Sequence, residues 1–110
     1  MMRVPRVLAM GAVVGWVAIA ASGAAGAPAT HTITMDGTVF SPETLTVKRG
    51  DRVVWVNKDP FPHTATAASK AFDSRSVAAG KSWSHVAKQS GTFDYVCTFH
   101  PTMKGRLIVQ

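Results

Sequence analysis

The chain has 110 residues, enough for one domain and too few for a catalytic domain plus a separate substrate domain. Its formal charge is +6, but the Lys and Arg residues are scattered, with no basic run and no interleaved aromatic ladder, which argues against nucleic-acid binding. The spread suits solubility and steering toward an acidic partner. The single cysteine, Cys97, excludes an intramolecular disulfide.

Arg3 and Arg6 make a basic start, and an apolar small-residue run follows from Val7 to Ala21. Ser22 to Ala29 is small and turn-prone, with Ala-x-Ala spacings ending at Ala27 and Ala29. That is the layout of a secretory signal peptide. Pro28 hinders cleavage after Ala27, so the cut is expected after Ala29 or earlier, near Ala24. The run falls short of the ~20 residues a membrane span needs, so no span is expected in the mature form. The organisation is therefore a signal peptide over 1–29 and one domain over 30–110. Loss of Arg3 and Arg6 lowers the charge by two, from +6 to +4. A domain this small gains only a marginal core and leans on a staple such as a disulfide or a metal. In an oxidising compartment the thiol of Cys97 needs an occupant, either another chain's thiol or a metal.

The mature part reads as short strands broken by turn signals, the pattern of an all-β sandwich. His31 to Met35 alternates and stops at Asp36-Gly37; Glu43 to Val47 alternates and stops at Arg49-Gly50-Asp51. Arg52 to Asn57 is more apolar and reads as a central strand. Pro60 and Pro62 lack the donor a ladder needs, so Lys58 to Pro62 is a bend, after which His63 to Thr66 resumes an extended path. Ala67 to Gly80 is irregular, a loop or a short helix. Lys81 to Ala87 alternates around Trp83, Thr92 to Cys97 alternates strongly, and Gly105 to Val109 closes the domain. No segment sustains a helical period.

The chemistry sits in Cys97-Thr98-Phe99-His100-Pro101-Thr102-Met103, where a thiolate, an imidazole and a thioether stand three residues apart after a strand. A loop leaving a strand end can bring them to one point. Such a soft-to-borderline set suits copper in both oxidation states, and Cys, two His and a weak axial Met describe an electron-transfer copper site. The second imidazole must come from elsewhere, and His63, after the Pro-rich bend, is the candidate. His31, near the new N-terminus, reads as solvated, and His85 as a strand histidine; neither is placed on the metal. Three other readings exist. Cys97 and His100 as nucleophile and base leave Met103 and His63 unused. Zinc on Cys97, His63 and His100 lacks the fourth Cys or His of a structural site. Met103 alone would read as core filling.

With these residues in hand, the mature chain resembles the cupredoxins, most closely the amicyanin and plastocyanin-like branch. The landmarks are Val53-Val-Trp-Val-Asn57, Pro62-His63, Gly91-Thr-Phe-Asp-Tyr-Val-Cys97 and the stretch to Lys104-Gly105. The resemblance implies a Greek-key β-sandwich with one mononuclear type 1 copper on His63, Cys97, His100 and Met103. The two-residue gap between His100 and Met103 is similar to amicyanin. Two positions depart from the family. Asn commonly follows the first His and braces the cysteine loop, and here Thr64 stands there. Amicyanin and plastocyanin have Pro two residues after the Cys, and here it is Phe99, which keeps a backbone N–H. The N–H groups of Thr64 and Phe99 are both expected to donate to the Cys97 sulfur, withdrawing charge and favouring Cu(I). Asn57 is expected to support the same region.

The resemblance also implies a docking patch around His100, which Phe61, Pro62 and Pro101 would line. The expected function is single-electron shuttling in the periplasm by a monomer that is not itself an enzyme. Its partners would be redox proteins, a dehydrogenase donor and a cytochrome acceptor in the amicyanin pattern. The alternative is a periplasmic protein that binds and delivers copper without a redox partner.

Overall fold

The computed structural model describes residues 26–110, so most of the expected signal peptide lies outside the described residues. Among the described residues eight strands form two four-stranded sheets: β1 (Thr30–Met35), β2 (Phe40–Ser41), β3 (Thr44–Val47), β4 (Arg52–Asn57), β5 (Thr66–Ala67), β6 (Ser82–Val86), β7 (Gly91–Cys97) and β8 (His100–Val109). One sheet has the order β2-β1-β4-β6 and the other β3-β8-β7-β5. Among the described residues there is no helix, and none long and apolar enough to cross a membrane.

The period-2 pattern explains which faces meet. Along β4, Val53, Trp55 and Asn57 are buried while Arg52 is exposed; along β8, Met103, Gly105, Leu107 and Val109 turn inward. The two inner faces enclose a core of Ile33, Met35, Val53, Trp55, Tyr95 and Leu107. Trp55 is its hub, with ring centroids 5.4 Å from Phe72, 5.5 Å from Trp83 and 5.6 Å from Tyr95. Tyr95 lies over Gly105, where a methyl group would fall on its ring and hydroxyl, so only glycine fits. Burial pushes the Tyr95 hydroxyl up to about 12.

Several expectations from the sequence shift in detail. β4 runs over the expected residues and lies inside its sheet, paired parallel to β1 and antiparallel to β6. The two-residue strand β2 was not foreseen; it is too short to show a period. Residues 68–81 contain no helix, only turns and single bridges such as His63↔Val77. The closing strand begins at His100, five residues before the expected Gly105. Residues 97–103 are therefore not a free loop: Thr98 and Phe99 form a two-residue turn between β7 and β8. His31 is not simply solvated, since its Nε2 lies 2.9 Å from Asp51 Oδ2.

Asp51 ties the start of β1 to the turn between β3 and β4. Besides His31, it accepts hydrogen bonds from the backbone N–H groups of Ala29 at 2.9 Å and Lys48 at 3.0 Å. The His31 contact first, then these two N–H groups, lower its carboxyl from 3.8 to about 2. A depressed carboxyl contributes stability above the unfolded value, and that contribution disappears as pH falls through the folded one. Asp51→Asn is accordingly expected to be less stable than the parent at neutral pH. The gap between their denaturant midpoints should close as pH falls from 3.8 to about 2, which a urea series across that range checks.

Candidate metal centre

Three donors from two parts of the chain meet at one end of the sandwich. Cys97 Sγ lies 3.6 Å from His63 Nδ1 and 3.8 Å from His100 Nδ1. The ligand atoms of His63, Cys97 and His100 all fall within 4.8 Å of one another. Cys97 and His63 are fully buried, and His100 is half-buried.

Each side chain arrives by a local cause. Cys97 ends β7, where the alternation that buries Tyr95 also points it inward. His100 follows the two-residue turn and pairs directly with Cys97. The next pairing is Val96 with Lys104, so Pro101, Thr102 and Met103 on β8 have no counterpart on β7. Such a bulge re-aims side chains. Here it turns Met103 inward, 2 % exposed, only three residues from His100, which a regular strand would place on alternate faces.

His63 comes from the bend after β4. Asn57, buried at the end of that strand, donates from Nδ2 to Phe61 O at 2.9 Å and Val77 O at 3.0 Å. Its Oδ1 accepts the Asp59 N–H at 2.9 Å. These three bonds replace the ladder that Pro60 and Pro62 cannot continue. The segment then bridges to Val77 through His63 N→Val77 O at 3.1 Å and Val77 N→His63 O at 2.8 Å. His63 Nε2 is 2.7 Å from Asp59 Oδ2. That bond, more than opposing burial, holds the Asp59 carboxyl below its ordinary range. A carboxylate only accepts, so this bond calls for the hydrogen on Nε2.

Thr64 takes up the bracing role through two different groups. Its N–H donates to Cys97 Sγ at 3.3 Å. Its hydroxyl oxygen accepts the Thr98 N–H at 2.9 Å and sits 3.2 Å from the Thr98 hydroxyl. A shorter side chain than Asn thus reaches the cysteine turn because the turn itself is only two residues long. The expected second bond to sulfur is absent: among the described residues the Phe99 N–H makes no hydrogen bond to Cys97. Phe99 occupies the tip of the turn and is 51 % exposed.

The remaining sequence-derived residues divide plainly. Phe61, Pro62 and Pro101 are exposed, and the Phe61 ring touches both imidazoles, at 5.2 Å from His63 and 5.6 Å from His100. His85 lies away from the cluster, against Phe72 and Trp83. Asp59 was missed, because an acid before a proline reads as an ordinary turn residue. The one available signal was its spacing of four from His63.

The donor set fits copper. One thiolate and two imidazoles are buried or half-buried, a buried thioether follows three residues after His100, and the second ring nitrogen of His63 is already bonded. Among the described residues no carboxylate joins the cluster of donor atoms itself.

Comparison with known proteins agrees. The cupredoxin-like domain family matches residues 8–109. An amicyanin of Paracoccus versutus is 32% identical over 76 residues, covering 64% of this chain and 57% of that protein. The chain thus spans little more than half the length of that relative. A plastocyanin of Scenedesmus fuscus is 34% identical over 85 residues, 66% of this chain and 87% of its own length. Among solved structures, a methionine-to-alanine variant of amicyanin in its Cu(I) form superposes with a TM-score of 0.70 at 27% identity, covering 80% of this chain and 89% of that one. A purple cupredoxin from Nitrosopumilus maritimus gives 0.68 at 26% identity, covering 73% of this chain and 99% of that one.

The Thr64 hydroxyl offers a test independent of metal. Thr64→Val keeps the backbone N–H to sulfur but strips the partner from Thr98 N–H. A stability loss of about 1–3 kcal/mol is expected, read by chemical denaturation of the metal-free protein.

Proposed function

The chain belongs to the cupredoxin-like family, and on that footing we propose that it carries single electrons between redox proteins, using one copper held by His63, Cys97, His100 and Met103. One observation carries the proposal: the thiolate and both imidazoles are in place around a common point, two of the three fully buried. Copper supplies the Cu(I)/Cu(II) couple. The protein supplies the rest. It fixes Cys97 and His100 across one strand pair, fixes His63 through the Asn57 and Asp59 bonds, and keeps water from the sulfur by burying it. Ligands that cannot relax far keep reorganisation small between the two states.

His100 is the half-buried donor, and the exposed faces of Phe61, Pro62, Phe99 and Pro101 surround its side of the molecule. We assign partner docking to this apolar rim. The partners are proposed as a dehydrogenase-type donor and a cytochrome-type acceptor, by analogy with amicyanin. Residues 1–29 are proposed as a cleaved signal, and the domain over 30–110 is proposed to act in the periplasm as a monomer. No catalytic residue is assigned. A Cu-containing nitrite reductase of Thermus scotoductus shares the fold with a TM-score of 0.69 at 26% identity, but the chain covers only 22% of that enzyme. Copper delivery is the second reading; the buried sulfur disfavours it, because hand-over needs an accessible thiolate.

Copper-loaded protein is expected to show an intense visible thiolate-to-copper band, and Cys97→Ser to be colourless while remaining folded. Phe61→Asp is expected to keep the colour and slow exchange with a redox partner, measured by stopped-flow. Ready transfer of copper to a chelator or apo-acceptor would favour delivery instead.

A further inference from the structure

Asp59 is 7 % exposed, and among the described residues its only ion-pair partner is His63. Its surroundings hold it as an acceptor. Oδ1 takes the Gly37 N–H at 2.7 Å; Oδ2 takes the Thr38 N–H at 2.9 Å and the His63 Nε2 hydrogen at 2.7 Å. Gly37 and Thr38 both have positive φ, 69° and 61°, so two successive N–H groups converge on one carboxylate. Thr38 is not glycine, so its left-handed backbone is a strained one for its side chain. The turn between β1 and β2 is thus bent toward Asp59, and Asp59 toward His63.

We infer that Asp59 is a positioning residue for the metal centre: it locks His63 in the tautomer that presents Nδ1 to Cys97, and its charge strengthens the imidazole as a donor so that the site favours Cu(II). The bond from Thr64 N–H to the sulfur acts in the opposite sense, since it withdraws charge from the thiolate. The two bonds flank the same 3.6 Å contact between Sγ and Nδ1, one on each ligand. The reduction potential then reflects their balance, and removing the carboxylate tips it toward Cu(I). Asn cannot substitute without cost. Its NH₂ group would have to face either the Gly37 N–H or the pair of donors now shared by Oδ2.

The inference rests on the copper reading of the site, and the experiment separates the two. In metal-free wild type at about pH 8, above the ordinary histidine range, long-range ¹⁵N–¹H correlation should place the His63 hydrogen on Nε2. In Asp59→Asn that preference should be lost. Cu(II) affinity should fall about 10–100-fold, Cu(I) affinity should fall less, and the potential should rise. A hydrogen on Nδ1 in the wild type would overturn the inference, even if the variant fails to fold. So would a folded variant that loses stability or both affinities equally with its potential unchanged, the signature of a purely structural carboxylate. If the wild type binds no copper, the copper reading fails, and the tautomer alone decides whether Asp59 sets the donor atom.

Discussion

The metal end of the molecule hangs on one buried amide. Asn57 closes β4 and spends every polar atom of its side chain on the backbone that follows: Phe61 O, Val77 O and Asp59 N. Without that clamp the Pro60–Pro62 bend has no ladder to follow, and His63 has no fixed distance from Cys97. The amide is fully buried, so losing one of these bonds would leave a partner stranded, a cost of about 1–3 kcal/mol for each. Geometry at the sulfur is therefore maintained by hydrogen bonds that need no metal.

Around this clamp the two sheets contribute separately. The sheet containing β4 delivers His63 through the bend, and the sheet containing β7 and β8 delivers Cys97, His100 and Met103 through a tight turn and a bulge. Thr64 joins them, with its N–H on the sulfur and its hydroxyl on the turn. A site assembled across two layers can shift only if the sandwich shifts. That is the mechanical basis for the small reorganisation that the proposed electron exchange needs, and the half-buried His100 beside the apolar rim is the side proposed to face partners.

Much of this was legible in the sequence because the relevant signals are local. The apolar run from Arg52 to Asn57 located β4 to the residue, and equal spacing of Cys97, His100 and Met103 with donor chemistry pointed to copper. What was not legible depends on register. The bulge over Pro101–Met103 appears only when Val96 pairs with Lys104, so β8 read as starting at Gly105. Asp59 shows its role only once the turn at Gly37 and Thr38 is folded against it, 21 and 22 residues away in sequence. The Phe99 N–H was expected on the sulfur because Phe lacks proline's restriction, but a free donor is not an aimed one. The Thr64 N–H lies on the sulfur, and its hydroxyl bonds to Thr98, a partner that spacing alone does not name.

The central claim is that the ligands are held in place by the fold before copper arrives. Crystal structures of the metal-free and copper-loaded protein test this most directly. The Sγ–Nδ1 separations of 3.6 Å to His63 and 3.8 Å to His100 should persist nearly unchanged on loading, with the Asp59–His63 bond intact in both. An imidazole that swings away from Cys97 in the metal-free form, or a copper bound through residues other than these, would contradict the account.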